Sequence, residues 1–283
     1  MIKRRINFAR LVAPVLLLLL SSGSHAAIVF HDMTAVGSQV NFNDGGYLSG
    51  LAYVPTVSSG SGTGVFPSFL KLASNNNNVP NTTVGYNSDT INKNEVTQDA
   101  NNSSQHTHSL LLADIPTVTI NNRDFIEVLM DANEPNGGDP YLAINELRFY
   151  SHEDPNLNTY SDANETLGGL GAVWDMDDIF DHDLLIDYSN YAGSGNPDLV
   201  LLVDKSLFTG TYVSLFMRAG IEYADNQGDH ESGFEEWGIT GDGTPYTVTP
   251  PKAVPLPASA WLFGSALLGF IGMRRRKAAN QHS

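Results

Sequence analysis

Hydrophobic positions in this chain come in short runs. Between residues 27 and 249, segments rich in Val, Ile, Leu, Phe and Tyr alternate with clusters of Gly, Asn, Asp and Ser. No stretch keeps the 3.6-residue apolar spacing of an amphipathic helix, whereas short branched and aromatic runs between turn residues are what strands require. The pattern predicts strands over 27–30, 40–42, 47–54, 65–72, 109–112, 117–120, 125–131, 142–150, 184–188, 199–203, 212–218 and 234–239. Strands this short and numerous predict an all-β domain, a β-sandwich or jelly roll built of two packed sheets. Residues 74–108 break the pattern. They include the run Asn75–Asn78 and few large apolar residues, which predicts a long Asn-rich surface loop. The part before the loop is short for an independent core, so residues 27–249 are expected to form one domain.

The two ends are patterned differently. Lys3, Arg4, Arg5 and Arg10 accompany an apolar run, Leu11 to Leu20, that leads to Ser24-His25-Ala26. A basic start, an apolar run of about half the ~20 residues a bilayer-spanning helix needs, and a small-x-small site predict a signal peptide over 1–26, with Ala27 as the first mature residue. At the other end, a proline-rich stretch from Pro250 to Pro257 precedes an uncharged segment that runs to Met273, and Arg274, Arg275, Arg276 and Lys277 follow. This order predicts a transmembrane helix with its basic end in the cytoplasm.

Charge sharpens the division. The 283 residues carry a formal net charge of −16, with 15 Lys and Arg against 31 Asp and Glu. Eight of the bases lie in the two ends and seven between residues 27 and 252, where all 31 acids lie, so the middle stands at −24. A polyanion of this strength is unsuited to nucleic acid or to an anionic membrane face. The absence of Cys excludes disulfides, thiolate metal sites and Cys nucleophiles.

The segment Val254-Pro255-Leu256-Pro257-Ala258, with the helix and the arginine cluster behind it, resembles the PEP-CTERM sorting signal in its VPLPA form. Leu256 stands where the usual motif has Glu. The stretches 125–150, 185–189, 206–208, 212–216 and 233–237 resemble the body of uncharacterised proteins sorted in this way. The resemblance implies export across the inner membrane of a Gram-negative bacterium and transient anchoring by the tail (residues 250–283). Recognition by an exosortase at Val254, Pro255, Leu256, Pro257, Arg274, Arg275 and Arg276 would follow, with delivery to the cell surface or exopolysaccharide matrix. It implies no activity for the body. The expected partners are the secretion machinery, the exosortase, the membrane before processing, and exopolysaccharide.

Chemistry in the middle is mostly acidic. Asp131, Asn133, Glu134, Asn136 and Asp139 surround Gly137-Gly138, and Asp175, Asp177, Asp178, Asp181 and Asp183 form a second group, of which the first three are the candidate ligands. Hard oxygen ligands on glycine-permitted turns suit calcium, the one candidate cofactor, although Asp and Asn also serve as ordinary turn residues. A further acidic group follows at Glu222, Asp225, Asn226, Asp229 and Glu231. His106-Thr107-His108 places two imidazoles two residues apart without a third ligand nearby in sequence. Tyr141, Tyr160, Tyr188, Tyr191, Tyr212, Tyr223, Trp174 and Trp237 are candidates to stack on sugar rings, or to serve as sheet core. No nucleophile elbow and no phosphate-binding loop is present, and catalytic residues are assigned to none of these groups. The expected role is structural, adhesive or carbohydrate-binding rather than enzymatic. The alternatives are an extracellular polysaccharide hydrolase using an Asp/Glu pair, of which Glu127 and Asp131 on one strand face are an example, and a periplasmic protein held by a single-pass anchor. Mass spectrometry of protein recovered from the cell surface is expected to find Ala27 at the N-terminus and no Arg274–Arg276; recovery of those arginines there would defeat the sorting expectation.

Overall fold

The computed structural model describes residues 28–44, 46–56, 67–73, 82–91, 99–101, 103–133, 140–191, 195–221, 228–229 and 233–246. The signal segment, the sorting tail, the Asn75–Asn78 run, Glu134, Asn136 and Asp139 lie outside these residues. In chain order the strands are β1 (Ile28–Met33), β2 (Gln39–Asp44), β3 (Tyr47–Tyr53), β4 (Ser68–Leu72), β5 (Thr83–Tyr86), β6 (Leu110–Leu111), β7 (Thr117–Ile120), β8 (Arg123–Asn133), β9 (Tyr141–His152), β10 (Tyr160–Ser161), β11 (Thr166–Leu167), β12 (Leu170–Gly171), β13 (Trp174–Asp175), β14 (Asp181–Asp187), β15 (Leu199–Asp204), β16 (Tyr212–Ala219) and β17 (Phe234–Gly238).

They form two seven-stranded sheets and a small third one. The first sheet runs β1-β14-β9-β16-β5, with β13 beside β9 and β6 beside β16. The second runs β2-β3-β15-β8-β17-β4, with β7 beside β8. The third joins β10, β11 and β12. The two large sheets share one apolar core. Val128 and Met130 of β8, Leu201 of β15 and Trp237 of β17 meet Leu147 and Phe149 of β9 and Leu215 and Met217 of β16. Trp237 Nε1 donates to Met217 Sδ across the sheets at 2.8 Å. An all-β, two-sheet body is therefore what the short-run pattern produced.

The outer faces are covered as well. Leu51, Phe125, Leu129, Val200 and Leu202 form a second buried cluster on the far side of the second sheet, with Leu48, Tyr53 and Tyr246 packed against it. Tyr86, Tyr150, Tyr160, Leu167 and Phe216 form a third on the far side of the first sheet, under β10 and β11. Strands buried on both faces lose the polar half of their alternation, which is why β15 reads Leu-Val-Leu-Leu-Val.

Three local features depart from the sequence expectation. The expected loop 74–108 contains β5, all four residues of which are buried. It also contains Ala100, which bridges to Leu72. A four-residue strand in polar surroundings leaves too short an apolar run to recognise. The strand β1 pairs in parallel with β14, from Ile28 opposite Asp181 to Met33 opposite Ile186, in an otherwise antiparallel set of large-sheet pairs. Lastly, Asn145 is an extra residue in β9: Arg218 of β16 pairs with Glu146, and Ala219 with Ile144. Such a bulge reverses which residues face inward. Leu142 and Ile144 lie in the core before it, and Leu147 and Phe149 after it.

Between β7 and β8, Asn121 and Asn122 both take positive φ, 51° and 63°. A two-residue hairpin of the I′ kind demands this, and Asn tolerates it better than most residues. Because both faces of β15 are dry, Leu201→Ala and Leu202→Ala are each expected to cost about 2–5 kcal/mol in chemical denaturation. A near-neutral Leu202→Ala would show that the outer face is not a true core.

Candidate aromatic groove

The end of β2 and the segment running from β13 into β14 enclose a groove of about 470 Å³. That size suits a small-molecule or oligosaccharide segment. Phe42, Trp174, Phe180 and His182 line it, together with Asn41, Asp44, Ser49 and Asp178. The rings touch in sequence. Phe180 meets His182 edge to face at 6.1 Å between centroids. His182 meets Phe42 at 5.5 Å, and Phe42 meets Trp174 at 5.4 Å. Phe180 is 51% exposed and Ile179 beside it 50%, so the outer end of this row presents apolar surface to water. Trp174 forms the inner end, with only 4% of its surface exposed.

Backbone geometry sets the position of Trp174. A Cβ on Gly50 of β3 would stand 2.8 Å from its Cζ2, so only glycine lets the indole lie against this strand. The indole Nε1 is buried with no acceptor among the described residues, as is Asn41 Oδ1, also without a donor. Buried polar atoms without partners are uncommon and cost stability, which makes a ligand-lined region a natural place for them.

The wall of the groove is pinned from behind by Arg148. The bulge at Asn145 turns Arg148 out of the main core and under the third sheet, where its side chain is only 3% exposed. Its Nε donates to Asp175 Oδ2 at 2.7 Å, its Nη2 to Glu165 Oε1 at 3.0 Å, and its Nη1 to Tyr160 Oη at 3.0 Å and to Glu146. Arg218 adds Glu146 at 2.8 Å and Asp162 at 2.6 Å. Burial works against the charge of Arg148, but Asp175 and Glu146 outweigh it and its pKa rises. Asp175 and the neighbouring Asp177 therefore hold the loop: Asp175 Oδ1 accepts the Asp177 N–H at 2.9 Å, and Asp177 Oδ1 accepts the His182 N–H at 2.8 Å. Met176, Asp178 and Phe180 are left on the groove side.

Of the residues expected to bind calcium, Glu134, Asn136 and Asp139 lie outside the described residues, and the others have the following places. Asp175, Asp177 and Asp178 are neighbours in sequence, but the first two serve Arg148 and the loop backbone, and Asp178 lines the groove. Asp131 is buried, its Oδ2 accepting the Gly195 N–H at 2.6 Å. Asn133 is half-buried at the end of β8. Among the described residues, no three of His, Asp and Glu lie together in a way that could hold a metal ion. Glu127 and Asp131 do share the outer face of β8, but Glu127 is buried too, receiving the Tyr246 N–H on Oε1. His106 faces Ser68 and Glu236, while His108 Nδ1 lies 2.7 Å from the Ser109 carbonyl oxygen. Of the aromatic candidates, Trp174 alone lines the groove; Trp237 and Tyr160 are core residues, and Tyr223 lies outside the described residues. Phe42, Phe180 and His182 were not singled out by the sequence. The pair Ile179-Phe180 set among Asp177, Asp178 and Asp181 was the available signal, since apolar residues inside an acidic turn have no reason to be there on solubility grounds.

No model of a known protein family, no curated protein and no solved structure matches this chain.

Burial pushes the Asp177 carboxyl up from its ordinary 3.8 to about 8, with Asp175 adding to the rise and the His182 N–H opposing it. The folded state then holds a proton that the unfolded chain releases near pH 4, so this group weakens folding progressively as pH rises from about 4 to about 8. Asp177→Asn is expected to flatten that part of the melting temperature–pH profile. An unchanged profile would place the proton elsewhere.

Proposed function

We propose that this is an exported surface or exopolysaccharide-matrix protein of a Gram-negative bacterium, whose folded domain binds carbohydrate through the aromatic groove. In this reading residues 1–26 direct export, and the tail from Pro250 anchors the chain until an exosortase acts near Pro257. The two-sheet body is a jelly-roll-like carrier of the groove, and its role in the matrix is adhesive or structural.

The observation that carries the binding role is the row Phe180–His182–Phe42–Trp174 in one groove beside Asn41, Asp44, Ser49 and Asp178. Sugar rings offer C–H faces that stack on aromatic rings and hydroxyls that bond to amide, hydroxyl and carboxylate groups, so a ligand of this kind uses both parts of the lining. The exposed Phe180 gives such a ligand its entry surface.

Phe180→Ala, at a half-exposed site, is expected to leave the melting temperature within a few degrees and to weaken oligosaccharide binding about fivefold or more, by analogy with roughly 1 kcal/mol for an aromatic contact. Glycan-array binding and titration calorimetry check this. Retention of full affinity would remove the groove from the proposal, and release of reducing ends from a bound polysaccharide would mark a hydrolase instead.

A further inference from the structure

The groove has a one-sided charge. Asp44, Asp175 and Asp178 line it, and among the described residues no Lys or Arg does. The three carboxylates differ in availability. Asp175 is spent on Arg148 behind the wall. The carboxylates of Asp44 and Asp178 are exposed and have no hydrogen-bond or ion-pair partner among the described residues. The imidazole in the lining does not offset them. His182 is half-buried and lies 2.8 Å from His31 through Nδ1 and Nε2, and burial together with the facing His31 lowers its pKa, which keeps it neutral at neutral pH.

Three features of the lining bear on what it can accept. An aromatic row binds rings rather than bare ions. Two carboxylates at its rim without partners among the described residues favour a cationic group and repel an anionic one. In its lining Trp174 Nε1 and Asn41 Oδ1 are buried without hydrogen-bond partners among the described residues, which suits a ligand that both accepts and donates. We infer that the groove selects amino sugars carrying a free, protonated amine, with a pyranose face on the exposed Phe180 beside His182 and the ammonium groups toward Asp44 and Asp178, and that it discriminates against uronate-type acidic glycans. This inference rests on the carbohydrate reading above and narrows it to a chemical class.

The discriminating experiment uses the full-length chain with three tetrasaccharide probes: a fully deacetylated chitosan oligomer, its N-acetylated counterpart, and an oligogalacturonate. The first two share one backbone and differ in charge, so their ratio isolates the carboxylate contribution. At near-neutral pH, where His182 is neutral and part of the amines are protonated, and at low salt, the deacetylated probe is expected to bind several-fold more tightly than the acetylated one, up to the sum of two exposed charge pairs. The acidic probe should bind most weakly, and added salt should erode the preference. The double substitution Asp44→Asn with Asp178→Asn should bring the two chitosan probes to parity without changing the melting temperature, since both side chains are exposed. Equal binding of the first two probes by the unaltered protein would overturn the amine preference and leave the carbohydrate reading standing, as would a preference for the acidic probe. Binding of none of the three would overturn both.

Discussion

The guanidinium of Arg148 constrains everything around it. It cannot lose its proton under any ordinary condition, so a nearly fully buried Arg must be surrounded by acceptors. Here the surroundings are Asp175, Glu146, Glu165 and the Tyr160 hydroxyl, drawn from β9, β13 and the strap that carries β10 and β11. One charge thus fastens two other stretches of chain, β13 and the strap, to β9. Its position depends in turn on a single extra residue. Without the bulge at Asn145, the alternation of β9 would carry Arg148 into the main core, and Leu147 and Phe149 out of it.

The groove is a consequence of that fastening. The loop after β13 is short of apolar anchors on its Arg148 side and is held there by carboxylates. Its apolar members, Met176, Ile179 and Phe180, are thereby presented to the opposite side, facing β2. Gly50 completes the arrangement by letting Trp174 press against β3. Structural ion pairs and a binding surface are two sides of one loop, which gives the acidic run 175–183 a different meaning at each position. Asp175 and Asp177 orient backbone, Asp178 faces solvent at the groove, and Asp183 is buried and hydrogen-bonded to Asn145 at 2.8 Å.

A domain so acidic, without disulfides, must be stabilised by burial. Both large sheets answer this by covering their outer faces, so that central strands contribute apolar side chains to two clusters rather than one. The same arrangement explains several carboxyls raised by desolvation, among them Asp131, Asp183 and Asp198, for each of which burial is the largest cause. Raised carboxyls carry less charge at a given pH, which moderates the self-repulsion of the chain while making folding weaker toward alkaline pH.

The sequence by itself determined the fold class, the run of main strands and the distinct material at the two ends, because apolar periodicity and charge segregation are local properties. Most predicted strands overlap an observed one, and several needed only a residue or two of extension, as with Phe125–Asp131 inside β8, whereas the two-residue strands β10 to β13 were not predicted. What tertiary structure alone decided was placement. β5 is invisible as a run yet buried because β16 lies beside it. The bulge that reverses β9 depends on pairing with Arg218 and Ala219, which lie some seventy residues away. The groove joins Phe42 to Phe180, residues distant in sequence that meet only when β2 and the segment after β13 come together. A spacing rule operates along a strand or helix; an aromatic row assembled from two sheets has no spacing to read, and a carboxylate becomes a ligand, a loop clasp or a buried acid only when its neighbours are in place.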